Sequence, residues 1–253
     1  CRSVNTVIHT AGLNAQDCAK EPEKAFLVNA CYTARLLKAV KEHGVRRFIY
    51  LSTVHVYDSP LIGEIDEQTA TVNDHPYAAS HRAAENLVSY CSQEAGIKPY
   101  ILRLSNAFGA PSSPDTNCWQ LVVNDLCRQA VQNRQMTIRS TGLQMRDFIP
   151  LSQVCTSIRL LIKTNIESES PLIFNLSSAG SVSILEMAAN IQSRCMNLFG
   201  YSPPIIREPS ALPEHKEFLK IHNERIKSYL NWPLIKAEDE IDNLLRFCKR
   251  HFC

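Results

Sequence analysis

Apolar and polar positions along this chain fall into blocks whose period switches between two and about 3.6 residues. Thr6-Val7-Ile8-His9 reads as a short strand that ends at Ala11-Gly12. From Glu21 to His43, Phe26, Ala30, Ala34, Leu37 and Val40 recur near one face, which predicts a helix. Glu21 and Glu23 in its first turn and Pro22 at an early position suit its start, and Gly44 stops it. Val45 to Ser52 is the next strand. A loop through Ser59-Pro60 and Gly63 leads to a helix that opens at Pro76-Tyr77 and runs to about Ala95, where Gly96 ends it. Tyr100 to Leu104 is another strand. Strand, helix, strand, helix, strand with short connections predicts a parallel sheet covered by helices, with right-handed crossovers.

After Gly109 the pattern changes. A loop holding Pro111, Pro114 and Asn117 precedes a helix from about Trp119 to Gln132. Met136 to Arg139 and Arg146 to Pro150 are short extended pieces, Ser152 to Lys163 a helix and Leu172 to Leu176 a strand. Ser183 to Phe199 is helical, with Ser183 as N-cap and Glu186 completing a capping box. Tyr201 to Arg207 reads as loop and strand, and Ala237 to Phe252 as a terminal amphipathic helix. This divides the chain into residues 1–108, which also receive about 145–165, and a smaller α/β lobe built mainly from 109–253.

Composition narrows the function classes. The 253 residues are 45% hydrophobic and 21% charged with a net charge of +2, so electrostatics give no case for nucleic acid or an anionic membrane. No apolar run approaches the roughly 20 residues that span a bilayer. The ten cysteines contain no CxxC pair, which argues against a zinc or redox motif. Cys31, Cys127, Cys155, Cys195 and Cys248 lie within apolar elements, where free cysteine packs as a small hydrophobe. Reduced thiols in a cytosolic compartment are the expectation. The chain starts at Cys1 with a strand almost at once, and it reads as a piece of a longer protein.

The chemistry concentrates at two places. Phe48-Ile49-Tyr50-Leu51-Ser52-Thr53 is an apolar strand that ends in hydroxyls, and Pro76-Tyr77-Ala78-Ala79-Ser80-His81 opens a helix. A phenol and a hydroxyl meeting beside a nicotinamide form a proton-transfer site for a secondary alcohol. Tyr77 and His81, at i and i+4, share one helical face.

Taken in order, these motifs carry a resemblance. Val7-Ile8-His9-Thr10-Ala11-Gly12-Leu13, Asn29, Ser52-Thr53-Val54-His55-Val56-Tyr57, Tyr77 and Arg103-Leu104-Ser105-Asn106-Ala107-Phe108-Gly109 are followed by Arg146-Asp147-Phe148-Ile149 and Phe174-Asn175-Leu176. The set resembles the extended short-chain dehydrogenase/reductase family in its sugar-nucleotide epimerase/dehydratase branch, and its first segment is most similar to UDP-galactose 4-epimerases. The resemblance implies a Rossmann-like, doubly wound parallel sheet whose first βαβ unit, with its glycine-rich dinucleotide loop, is absent from these residues. No GxGxxG occurs in the sequence.

The resemblance also implies roles. Tyr77 is the general base and acid, and Thr53 is the hydroxyl that shares its proton and holds the sugar. Ala11, Gly12, Tyr77 and His81 border the cofactor, NAD with NADP not excluded. Thr53, Asn106, Arg146 and Arg207 hold the substrate, a nucleotide-linked sugar, with a surface ion pair as the plainer reading for either arginine. Asn29 is a structural or site-bordering residue, Asp147 is structural, and Ser52 and His55 are packing or loop groups. The family's lysine is replaced by His81, which leaves two readings open: a working substitute, or a member that kept its fold and lost catalysis. Val54-His55 stands where family dehydratases carry Asp-Glu, which favours epimerisation, at C4, or a single keto/hydroxyl redox step, over dehydration. A cytoplasmic homodimer paired through the Tyr77 helix and the helix before it completes the expectation.

Overall fold

A computed structural model describes residues 1, 3–95, 97–166, 172–208 and 217–253. Its central sheet has four strands, all parallel, in the order Thr6–His9, Arg47–Thr53, Lys98–Leu104 and Leu172–Leu176. Alternation along the strands sends side chains to both faces. Phe48, Tyr50 and Ile101 pack with Leu37 and Val40 of the helix Tyr32–Glu42 and with Ala84 and Val88 of the helix Pro76–Ala95. Ile49, Tyr100 and Leu102 pack with Val154 and Leu161 of the helix Leu151–Lys163 and with Ile226 and Leu230. Burial on both faces explains why Phe48-Ile49-Tyr50 is an unbroken apolar run rather than an alternating one.

The second half returns to this sheet. Leu172–Leu176 is its last strand, and the helix Leu151–Lys163 supplies the crossover that a parallel neighbour requires. What remains of the second half forms its own core. The helices Val122–Gln132, Ile184–Phe199 and Ala237–Phe252 bury Leu126, Ala130, Ile191, Leu244 and Leu245 together. The expected capping box is present: Ser183 accepts from the Glu186 amide and Glu186 reaches back to the Ser183 amide. Gly200 closes that helix in the left-handed region at φ 74°.

Three segments differ from their sequence reading. The helix expected over 21–43 is Pro22–Phe26, a π turn Leu27–Cys31, then Tyr32–Glu42. A π turn carries one residue more than the helical repeat accommodates, and here it holds the buried Asn29. The helix expected from Trp119 begins at Val122, because turns occupy the preceding residues and the Trp119 indole donates to the Pro114 carbonyl at 2.8 Å. The loop after Tyr57 contains a strand, Gly63–Ile65, paired in parallel with Leu219–Ile221. Gly96 lies outside the described residues.

Candidate active site

Thr53 is the last residue of its strand, in register with Leu104, so it stands at the carboxyl edge of the sheet. There the backbone turns into the short 3-10 turn Val54–Val56, and Thr53 caps it by accepting from the His55 amide at 3.2 Å. The same buried hydroxyl lies near the Tyr77 phenol and acts to lower its pKa. Thr53 therefore caps the turn and also faces the side of the sheet that carries Tyr77.

Tyr77 owes its place to the start of its helix. Pro76 occupies the first helical position, where its missing N–H is no loss. The Tyr77 amide donates to Nδ1 of His75 at 3.2 Å, so an imidazole caps this helix in place of a hydroxyl or carboxylate. Asn29 ties the helix to its neighbours. Its amide group donates to Ser80 Oγ at 2.9 Å, and Ser80 in turn donates to the Tyr77 carbonyl at 3.0 Å. Its carbonyl oxygen accepts from the Leu13 amide at 2.8 Å. One buried carboxamide thus joins the Ala11-Gly12-Leu13 loop to the helix that carries the phenol.

These residues open onto a cleft of about 360 Å³, lined among others by Thr53, His55, Tyr77, Asn106 and Arg146. Asn106 begins the strand Asn106–Phe108, paired with Phe148 of the strand Met145–Pro150, which also carries Arg146. The Asn106 side-chain NH2 donates to the Asp147 backbone carbonyl at 2.9 Å. Asp147 is fully buried and accepts from the Ser105 hydroxyl at 2.6 Å and from the Ser178 amide and hydroxyl, a structural role. Ser52 also lines the cleft while its hydroxyl donates to Glu85 Oε1 at 2.5 Å. The paired carboxylate is held from the other side by Arg103 through Nε at 3.1 Å and Nη2 at 2.8 Å.

His81 stands behind Tyr77 rather than in the cleft. The rings meet edge-on with centroids 4.7 Å apart. His81 is buried, its Nδ1 is 2.8 Å from the Tyr50 hydroxyl, and its Nε2 lies 3.7 Å from where a Cβ on Gly12 would sit. Burial, with a smaller contribution from nearby His9, lowers its pKa to about 4, so the ring is neutral at pH 7. Tyr77 moves the other way: burial raises its pKa, and Thr53 opposes that in part.

Besides Ser52, which lines the cleft though read as a packing or loop group, two residues stand apart from their sequence readings. Arg207 is exposed on the strand Ile205–Arg207, which pairs with Met136–Ile138 and does not line the cleft. Its strand is anchored by the second core through Met136 and Ile138, which leaves Arg207 facing out. His55, read from the sequence as a packing or loop group, is on the turn after Thr53 and also lines the cleft, with its ring centroid 6.5 Å from that of Tyr77. Burial first, then Arg146 and His75, lower its pKa to about 4. Its place two residues after Thr53, on the turn that Thr53 caps, was the available signal.

The model of the NAD dependent epimerase/dehydratase family matches residues 1–177. The chain belongs to that family. Among curated relatives it is 27% identical over 232 residues to a dTDP-D-glucose 4,6-dehydratase of Bos taurus, covering 91% of this chain and 60% of the relative. It is 29% identical over 177 residues to YtcB of Bacillus subtilis, an uncharacterized UDP-glucose epimerase, covering 70% of this chain and 54% of the relative. The chain therefore spans about 60% of the length of such relatives. Its fold matches that of MoeE5 in complex with UDP-glucose and NAD at a TM-score of 0.80, with 20% identity over 98% of this chain and 80% of that one. RMD from Pseudomonas aeruginosa complexed with NADPH matches at 0.82, with 20% identity over 97% and 82%. Among the described residues no helix is long and apolar enough to cross a membrane, and no group of three His, Cys, Asp or Glu is placed to hold a metal.

Proposed function

We propose that the protein is an NAD(P)-dependent epimerase of a nucleotide-linked sugar, working by transient oxidation at one ring carbon, C4. The observation that carries this is that Tyr77 and Thr53 line one cleft together with Asn106 and Arg146, with Thr53 close enough to lower the pKa of the phenol. Tyr77 takes the proton of the sugar hydroxyl as the carbon is oxidised and returns it when the carbonyl is reduced from the other face. Thr53 holds that oxygen in line with the phenol. Arg146 suits a diphosphate, since its planar guanidinium can donate to two oxygens at once.

The residues fit the nicotinamide half of a dinucleotide. Ala11 and Gly12 leave exposed backbone at the carboxyl end of the first strand, beside the Nε2 edge of His81. Ligands of open parallel sheets bind beyond the carboxyl ends of the strands. When bound, the nicotinamide supplies the hydride acceptor. NAD is the first choice because the solved structures of similar fold include complexes with it, while the NADPH complex keeps NADP open.

Relatives named as dehydratases place the elimination route within the family. Epimerisation is preferred because Val54-His55 stands in place of an Asp-Glu pair, so the cleft lining has neither of the two carboxylates that such a pair would bring. A keto-sugar reductase or dehydrogenase uses the same residues and stops after one transfer. A member without turnover is favoured by one observation, that position 81, one helical turn after Tyr77, holds a buried neutral imidazole and no cation. The test is product analysis of the full-length protein with NAD and a panel of UDP-, GDP- and dTDP-linked hexoses. A C4-inverted product supports the proposal; a 4-keto-6-deoxy product, or no turnover, refutes it.

Two copies are proposed to pair through the Pro76–Ala95 helix and the helical run before it, which carry the exposed Tyr90 and Tyr32. Sedimentation as a monomer would contradict the pairing.

A further inference from the structure

Tyr50 lies in the apolar strand that leads to Thr53, and its hydroxyl reaches the imidazole of His81. The phenol is 1% exposed, sits in the middle of the Arg47–Thr53 strand, and has its oxygen 2.8 Å from His81 Nδ1. That contact permits two proton arrangements. In one, the phenol donates to a bare Nδ1 and the imidazole proton is on Nε2. In the other, Nδ1–H donates to the phenol oxygen, and the phenol's own proton needs another acceptor. Among the described residues, Nδ1 of His81 is the one hydrogen-bond partner found for the Tyr50 hydroxyl. The second arrangement would strand a buried O–H and would also swap a good imidazole acceptor for a weaker phenol one.

The neighbouring histidine is held by the same logic. Thr33 Oγ1 donates to the Asn29 carbonyl at 2.7 Å, so its oxygen is left to accept, and His9 Nε2 lies 2.8 Å from it. His9 therefore also carries its proton on Nε2. Burial lowers the pKa of both rings, which keeps both neutral at pH 7. The groups that surround His81 are Tyr50, Tyr77 and His9, with Glu85 acting on Tyr50 from one helical turn further along.

We propose that Tyr50 is a positioning residue that locks His81 as the Nε2–H tautomer and aims that N–H at the space over Gly12, where it donates to a ribose hydroxyl of the bound dinucleotide. The site thus replaces a flexible cation by a fixed neutral donor. The ribose half of this inference rests on the function proposed above, while the tautomer does not.

The experiment is long-range 15N–1H correlation of the full-length protein labelled with 15N-histidine, with His81→Gln used to assign the His81 signals. The expected spectrum has His81 Nδ1 unprotonated and Nε2 protonated at pH 7. In Tyr50→Phe that single pattern is lost to an average of both tautomers. A protonated Nδ1 in the native protein overturns the proposal whether or not the variant folds, as does an unchanged His81 pattern in a folded Tyr50→Phe. Addition of NAD is expected to move the His81 Nε2 resonance in the native protein. If the tautomer is as assigned and NAD leaves that resonance in place, the ribose contact is refuted and the Tyr50 assignment stands.

Discussion

The ring of His81 stands edge-on to that of Tyr77, with centroids 4.7 Å apart and planes at 68°. The pair follows from spacing, since residues four apart on a helix lie over one another. Its consequence is electrostatic. A neutral imidazole does not stabilise a phenolate as a cation would, and burial pushes the Tyr77 pKa up. The rate of an alcohol oxidation that uses Tyr77 as base is therefore expected to climb with pH through the neutral range and into the alkaline one. A rate that is flat from pH 6 to 9 would remove Tyr77 from the rate-limiting proton transfer.

His81→Lys tests the same relationship from the other side. An ammonium beside the phenol lowers its pKa, and each unit is worth about 1.4 kcal/mol, so a gain of roughly 10- to 1000-fold at neutral pH is expected per folded molecule. The lysine enters a pocket of aromatic rings, so a lower melting temperature should accompany the gain. Parallel measurement of kcat and Tm separates the two effects.

Removing the reacting groups should act differently at the two positions. Tyr77→Phe is expected to abolish turnover while leaving the fold intact, as read by circular dichroism. Thr53→Val should lower kcat by about 100-fold, the lower end of the range for a single positioned proton-transfer group. It should also loosen the turn at His55, because Thr53 accepts that amide.

Stability should depend on pH through the buried histidines. In the unfolded chain a histidine titrates near 6.5, whereas His81 in the folded protein is held at about 4. The stabilisation is full above pH 6.5 and is lost as pH falls toward 4, because the unfolded state binds the proton first. At pH 5 the loss is on the order of 2 kcal/mol from His81, and His55, also held at about 4, adds in the same direction. Urea unfolding at pH 7, 6 and 5 checks this, and His81→Gln should flatten the slope.

Much of this arrangement was legible in the sequence. Phe48-Ile49-Tyr50 reads as a buried parallel strand because both of its faces are covered, and the Ser183–Glu186 box marks a helix start from local chemistry alone. The convergence of Thr53 and Tyr77 was reached through ordered motifs, since residues 24 apart in sequence have no local signal that joins them. What remained hidden depends on tertiary partners. The π turn at Asn29 is visible only once Leu13 and Ser80 are seen to claim its carboxamide. Gly63–Ile65 becomes a strand because Leu219–Ile221, more than 150 residues away, pairs with it. Arg207 matched a motif loosely and sits on a strand that never reaches the cleft.

Behind the cleft, Glu85 and Arg103 form a buried ion pair, and the guanidinium lies 4.8 Å from the centre of the Tyr57 ring. Arg103→Met leaves a carboxylate buried with the Ser52 hydroxyl as its remaining hydrogen-bond donor among the described residues. A loss of about 3–5 kcal/mol in unfolding free energy is expected, and the double variant with Glu85→Leu should lose less than the sum of the single changes. Additive losses in a double-mutant cycle would mean that the two side chains act independently.

The central claim is that Tyr77 and Thr53 take a proton from a sugar hydroxyl as its carbon gives up hydride. The most direct measurement is stopped-flow absorbance of the full-length protein loaded with NAD and mixed with UDP- or dTDP-hexoses. A transient burst of reduced cofactor that rises and decays within one turnover, and is absent in Tyr77→Phe, is the expected result. Turnover of a nucleotide sugar with the same burst in Tyr77→Phe as in the native protein would contradict it.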